Sequence, residues 1–331
     1  MPSIKPEAIM RHVDAVFPGL AMMAGIKLDI FTRLYEKSMN AEELAKTLNV
    51  AENKLSPLLY VLTVTGLLKL EKGVFSNTPE SKEYLVQGET CIKEYISFLI
   101  DNIWSAVSKT AETIKNHEPQ SKIDWSNCTN HDRSLLLHGQ YPGGLLDGRE
   151  LGEKVDFSSS MHILDSAGGS GGLAVGLCES YRDLRMTIAE LPEVVPFTKR
   201  FISEAGMNER ISVVGVDIIQ DPPNGVYDVA VVRFFIQVLS AEDAQKALKN
   251  IHTAITPGGS IYIIGRFLDD THLFPQVSVV HNLLFLNRFE SGQAYTEKEC
   301  RMWLESAGFE NIEIEFTAFS DGAGLITARK G

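Results

Sequence analysis

The sequence predicts an α/β protein: a doubly wound, mostly parallel sheet with an antiparallel last strand, preceded by a mainly helical domain of winged-helix pattern. Three observations predict it. The small-residue turn Ala167-Gly-Gly-Ser-Gly-Gly172 follows a short apolar run and opens an apolar helix, and backbones this unencumbered turn sharply and let a ligand approach closely. From Asp156 onward, short apolar runs alternate with helical segments as five β–α units in series, which implies parallel strands with helices on both faces. Before about residue 114 the rhythm differs. There Val13, Phe17, Leu20, Met23, Ile26, Ile30 and Leu34 recur at three- and four-residue spacing, the period of an apolar helix face.

Taken in chain order, Asn40 followed by Ala41, Glu42 and Glu43 reads as a helix start, with a capping side chain and acidic first-turn residues. A second helix is expected from about Glu52 to Thr65, closed by Gly66, and residues 67–77 alternate like a hairpin turning at Lys72-Gly73. Helix, helix and wing suggest DNA binding, but the second helix offers only Lys54 against Glu52 and is otherwise apolar. It has little with which to meet phosphates or base edges, so dimerisation and covering of a substrate are the expected roles. The expected strands are His162–Asp165, Met186–Glu190, Ile211–Val216, Val226–Val232, Ser260–Gly265, Asn311–Phe316 and Gly324–Ala328. Only the turn at Ser320-Asp-Gly-Ala separates the last two, too little for a crossover, so they must pair antiparallel. The expected division is a winged-helix-like dimerisation domain over 1–110, a helical connection over 111–155 and the sheet domain over 156–331.

The bulk properties narrow the partners. A net charge of −12, from 31 basic and 43 acidic side chains, argues against nucleic acid. Cys91, Cys128, Cys178 and Cys300 form no CxxC pair, which predicts neither a metal site nor a disulfide framework and suits a reducing compartment. Lys5, Glu7, Arg11 and Asp14 interrupt the amino terminus where a signal peptide would be apolar, and the longest apolar stretch, 55–68, is too short for a bilayer. A cytoplasmic protein without a membrane partner is expected.

The glycine loop admits two ligands. Gly169-x-Gly171-x-x-Ala174 fits a dinucleotide fingerprint, as in an NAD-binding oxidoreductase. Asp165-x-Ala167-x-Gly169-x-Gly171 fits the S-adenosylmethionine loop of methyltransferases. Acidic groups at three successive strand ends, Asp165, Glu190 and Asp217, favour a nucleoside with ribose hydroxyls and an exocyclic amine to bind, and Leu191 and Ile218 are placed to sandwich its ring. That many carboxylates suit a cationic methyl donor better than a pyrophosphate.

Leu164-Asp-Ser-Ala-Gly-Gly-Ser-Gly171, Ala189-Glu-Leu-Pro-Glu-Val-Val195, Thr256-Pro-Gly-Gly-Ser-Ile-Tyr-Ile-Ile264 and Leu304-Glu-Ser-Ala-Gly-Phe309 resemble the plant-type and bacterial small-molecule O-methyltransferases, over nearly the whole chain. The resemblance implies S-adenosylmethionine as cofactor, a Rossmann-like methyltransferase sheet, and a homodimer whose amino-terminal helices help cover the partner's substrate pocket. It places Arg233 where the family has a Lys near the cofactor's carboxylate. It also implies a His base, where this chain has Gln237, and two Glu residues, where it has Gly265 and Ala294. A Gln amide takes no proton at neutral pH, so Gln237 is expected to orient a substrate. His281 is the candidate replacement acid/base. His138, Phe234, Phe285 and Phe289 are candidate substrate-binding residues for an aromatic or polyketide-like molecule. O- and C-methylation both remain open, as does an S-adenosylmethionine-binding enzyme that transfers no methyl, like the hydroxylating and pericyclic relatives.

Overall fold

In the computed structural model, which describes residues 5–86, 88, 91–125, 128–160 and 162–331, Asn40 caps the Ala41–Leu48 helix. Its side chain accepts from the Glu43 amide while the Glu43 carboxylate accepts from the Asn40 amide, satisfying two otherwise orphaned donors. The Glu52–Val64 helix follows, and then β1 (Leu68–Glu71) pairs antiparallel with β2 (Val74–Asn77). The turn residues Lys72 and Gly73 both have positive φ, 51° and 82°, the two-residue geometry that matches strand twist. The winged-helix pattern is therefore present, built on a core that includes Ile30, Phe31, Leu44, Leu59, Leu62 and Phe75.

The chain divides into two compact units after Ile100. Helices Thr110–Asn116 and Asn130–Lys154, read from sequence as a connection, belong to the second unit. Its sheet comprises β3 (His162–Ser166), β4 (Arg185–Glu190), β5 (Ile211–Gly215), β6 (Tyr227–Arg233), β7 (Ile255–Gly265), β10 (Phe309–Glu315) and β11 (Gly324–Lys330). A separate two-stranded pair is formed by β8 (Phe267–Leu268) and β9 (Tyr295–Thr296). The strand order is β10-β11-β7-β6-β3-β4-β5. Strands β3 to β7 are mutually parallel, and β11 runs antiparallel to both neighbours. All seven expected strands are found. One β–α unit is corrected: β5 leads to β6 through turns rather than a helix. The eleven intervening residues contain Pro222-Pro223, which lack amide donors and resist helical continuation. Among the described residues no single helix is long and apolar enough to cross a membrane.

Helix Gly172–Ser180, which leaves the glycine loop, packs against Asn130–Lys154 backbone to backbone. A Cβ at Gly148 would overlap the Leu173 carbonyl, one at Gly172 the Tyr141 carbonyl, and one at Gly176 the Leu145 carbonyl. The pattern is Gly144, Gly148 and Gly152 facing Gly172, Gly176 and Ser180. The Tyr181 hydroxyl closes the far end by donating to the carbonyls of Gly152 (2.9 Å) and Val155 (3.0 Å).

This contact makes a signed prediction. Gly→Ala inside a helix ordinarily gains about 1 kcal/mol from propensity, whereas overpacking costs about 1–3 kcal/mol. Because the obstacle at Gly148 is a backbone oxygen that cannot swing aside, Gly148→Ala should lower the urea midpoint. Gly152→Ala, which meets only Ser180 and Tyr181 side-chain atoms at 3.3 Å, should be near neutral. Equal midpoints for Gly148→Ala and the natural chain would refute the close packing.

Candidate active site

From β3 the chain runs outward through β4 to β5 and returns on the other side at β6, so a crevice opens at the carboxyl ends of β3, β4 and β6. Asp165, the penultimate residue of β3, is fully buried, and neither carboxyl oxygen has a hydrogen-bond partner. The loop above it takes left-handed backbone at Ala167 (φ 55°), Gly169 (57°) and Gly171 (79°). Only the first costs side-chain strain, and the Ala167 amide is held there by the Ala189 carbonyl at 2.8 Å. Glu190 ends β4 and anchors the loop: its Oε2 accepts from the Gly169 amide and its Oε1 from the Leu191 amide, both at 2.7 Å. Thr198 Oγ1 donates to the Gly169 carbonyl at 2.6 Å. Burial and then repulsion from Glu190 push the Asp165 carboxyl up to about 7 against the pull of Arg233. Burial likewise raises Glu190, opposed by its two amide donors.

The expected nucleoside groups continue along the edge. The Val216 amide donates to the Glu190 carbonyl at 2.8 Å, setting Asp217 just beyond β5, where its half-buried carboxylate accepts from the Ile219 amide at 3.0 Å. Leu191 packs on a cluster of Leu137, Val194 and Phe201. Ile218 lies in the main core, its carbonyl accepting from Asn250 Nδ2 at 2.8 Å.

At the ends of β6 and β7 the structure assembles charged pairs around one ring. Arg233 donates through Nε to Asp147 of the Asn130–Lys154 helix at 2.6 Å. Burial pushes Asp147 up to about 6 even though Arg233 opposes it. Phe234, at φ 50°, carries the Arg233 guanidinium 5.0 Å from its ring centroid and that of Arg266 at 5.7 Å. The buried Arg266 pairs in turn with Asp321 at 2.7 Å. Gln237 is fully buried; its Nε2 donates to the Arg266 carbonyl at 3.3 Å and its Oε1 has no partner. A Cβ on Gly265 would overlap that amide, so glycine at 265 and an inward Gln237 are one packing arrangement.

His281 is half-buried on the Gln276–Arg288 helix, its Nδ1 2.8 Å from the Val277 carbonyl. Burial first, and then the charge of Arg266, lower its proton affinity. His138 bonds the Ser134 carbonyl at 2.8 Å and sits edge-on to Phe201, with ring centroids 4.7 Å apart. Phe285 is buried beside Leu268 and Ala294, with Phe289 packed against that cluster. The structure thus gathers Asp165, Ala167, Gly169, Gly171, Glu190 and Leu191 into one site edge, and Arg233, Phe234 and Gln237 into a second group. His138 packs on Phe201, in the cluster that also carries Leu191, whereas Phe285 and Phe289 share a different cluster. Sequence reading missed Asp147, Thr198, Arg266 and Asp321. Asp147 had a signal, a lone carboxylate within Gly143-Gly-Leu-Leu-Asp-Gly-Arg149; Thr198 had none. Among the described residues no group of three His, Cys, Asp or Glu side chains could hold a metal ion.

The O-methyltransferase domain family matches residues 130–310, and the O-methyltransferase dimerisation domain matches residues 10–87. The chain is 25% identical over 334 residues to the tetracenomycin polyketide synthesis 8-O-methyl transferase TcmO of Streptomyces glaucescens, covering 98% of this chain and 97% of that one. It is 27% identical over 324 residues to an L-tyrosine C(3)-methyltransferase of Streptomyces lavendulae, covering 93% and 88%. The crystal structure of human N-acetylserotonin methyltransferase in complex with SAM superposes with a TM-score of 0.83 at 20% identity over 100% of both chains, a likeness of fold.

The raised Asp165 predicts a pH-dependent stability. Its folded value of about 7 stands above the ordinary 3.8, so its contribution is complete below about pH 4 and is lost as pH rises through 7. The difference corresponds to roughly 4 kcal/mol. Asp165→Asn, which copies the neutral acid, should therefore be more stable than the natural chain in urea at pH 8, and the two should converge below about pH 4. No gain at pH 8 would show that folding does not raise this carboxyl above its ordinary value.

Proposed function

Because the chain belongs to the O-methyltransferase family, whose domain spans residues 130–310, we propose that it transfers a methyl group from S-adenosylmethionine to oxygen or carbon of a small aromatic or polyketide-like acceptor, without a His base at position 237. The observation that carries this reading is the glycine loop held by Glu190 at the switch point of the sheet. The relatives named for polyketide 8-O-methylation and for tyrosine C(3)-methylation support the acceptor class and keep both target atoms open.

The residues present fit the cofactor: an orphaned, buried carboxyl at Asp165 suits a ligand that carries positive charge. When bound, S-adenosylmethionine supplies an electrophilic methyl on its sulfonium. The Asp165–Gly171 loop would hold it, with Glu190 toward the ribose hydroxyls, Asp217 toward the adenine amine, Leu191 against the ring, and Arg233 as the cation for its carboxylate.

Alignment of nucleophile and methyl can supply roughly 7–11 kcal/mol, against a factor of roughly 10²–10⁴ for a general base. Losing a His at 237 is therefore tolerable for an acidic hydroxyl or an electron-rich carbon. In this reading Gln237 orients the acceptor through its unpartnered Oε1. His281 takes the proton. Its Nδ1 faces a carbonyl oxygen and so carries the hydrogen, which leaves the Nε2 lone pair as the base. Burial and Arg266 keep that ring neutral to below its ordinary value.

The test is adenosylhomocysteine release with a panel of phenolic and polyketide acceptors across pH. His281→Ala should cost roughly 10²-fold or more in kcat and abolish the acid limb, which lies below pH 6.5 because the His281 value is lowered; Gln237→Ala should mainly raise KM. Equal, small losses in both variants would remove His281 from the chemistry, and no turnover of any acceptor would remove methyl transfer.

A homodimer is part of the same reading. Ile9, Val13 and Phe17 of the first two helices are 66%, 53% and 58% exposed, and an apolar face of this kind seeks a partner. Light scattering at micromolar concentration should give twice the 36.6 kDa chain mass; a monodisperse monomer would contradict it.

A further inference from the structure

We propose that ligand binding at the glycine loop is coupled to ionisation of Asp165, so that this carboxyl selects a ligand bearing positive charge and releases one proton when that ligand arrives. The proposal rests on the reading of the loop as an S-adenosylmethionine site. It starts from the surroundings of one side chain. Asp165 is fully enclosed, and both its carboxyl oxygens lack a partner. The loop backbone crosses directly over it: a Cβ on Gly168 would stand 2.6 Å from its Oδ2. Beside it, Ser166 Oγ is also buried and unpartnered.

Among the described residues, the charged groups that act on Asp165, Glu190 and Arg233, are already engaged. Glu190 on β4 accepts from the Gly169 and Leu191 amides, Arg233 on β6 donates to Asp147 of the Asn130–Lys154 helix, and Asp147 is itself mostly buried. On the Val195–Glu204 helix, Thr198 gives its hydroxyl to the Gly169 carbonyl. An ionised Asp165 would thus stand beside the Glu190 carboxylate, with the Arg233 guanidinium already paired to Asp147. A buried charge without a counter-charge neutralises instead, and burial with the repulsion of Glu190 holds this carboxyl at about 7. A cationic ligand reverses the balance. The Asp165 O–H bond then breaks, its proton passes to buffer, and the carboxylate stays beneath the loop, where the field of the positive group held above it replaces the missing counter-charge.

Two groups of the ligand carry that charge, the sulfonium and the amino-acid ammonium, and three probes separate them. S-adenosylmethionine has both, S-adenosylhomocysteine only the ammonium, and 5′-methylthioadenosine neither. Titration calorimetry of the intact protein in buffers of different ionisation enthalpy counts the protons. With S-adenosylmethionine, release of up to one proton per site is expected at pH 6 and less as the pH rises through the range in which Asp165 ionises by itself, with none for 5′-methylthioadenosine. Release with S-adenosylhomocysteine assigns the ammonium as partner; its absence there assigns the sulfonium. Asp165→Asn should bind without release, whereas Glu190→Gln, which removes the repulsion but not the burial, should release a smaller fraction at the same pH.

Binding of S-adenosylmethionine with no buffer dependence at pH 6 would overturn the coupling alone. So would undiminished release in Asp165→Asn, or equal release with 5′-methylthioadenosine. Failure of all three probes to bind the natural chain would instead overturn the reading of the site, and the coupling with it.

Discussion

The contact on which the site depends is the backbone-to-backbone packing of Asn130–Lys154 on Gly172–Ser180. Glycines at 148, 172 and 176 remove the Cβ atoms that would hold the helices apart. The helix axis that follows the loop is therefore set by main-chain atoms, which have no rotamers to relax. The same long helix delivers Asp147 to Arg233, Glu150 to the Ser320 amide and Leu137 to the cluster beside Leu191. Loop position, the β6 cation and the turn before β11 thus share one support.

Around that support the protein keeps charge in an unfavourable state. Asp165, Glu190 and Asp147 all have raised proton affinity, with burial as the largest cause of each. A folded chain selected for stability alone would fill these positions with apolar groups of similar volume. The strained backbone at Ala167 and Phe234 belongs with them, since such conformations persist where the surrounding structure over-determines them. Stability is given up at the glycine loop and at the end of β6.

The second group shows how far the effect of one small residue reaches. With glycine at 265, the space beside β7 is open to the Gln237 amide, which turns inward to the Arg266 carbonyl. Arg266 then reaches Asp321 and the Phe234 ring, and its charge also bears on His281. Residues 237, 265, 266, 281 and 321 consequently answer to one another although they are scattered through the chain.

Much of this was written locally. Strand and helix periods, the Asn40 cap, the Lys72-Gly73 turn and the glycine loop were readable because each depends on residues a few positions apart. The strand-end carboxylates were readable because parallel strands end where their apolar runs end. The missing helix between β5 and β6 was announced by Pro222-Pro223 and overlooked. What the sequence could not decide was which side chains close on one another: Asp147 with Arg233, Arg266 with Asp321, Gln237 above Gly265. Those pairings join residues up to 86 positions apart, and their protonation depends on burial, which exists only once the sheet and its helices have packed. Sequence determined where the acidic groups stand along the chain; tertiary structure decided which of them would be left without a partner.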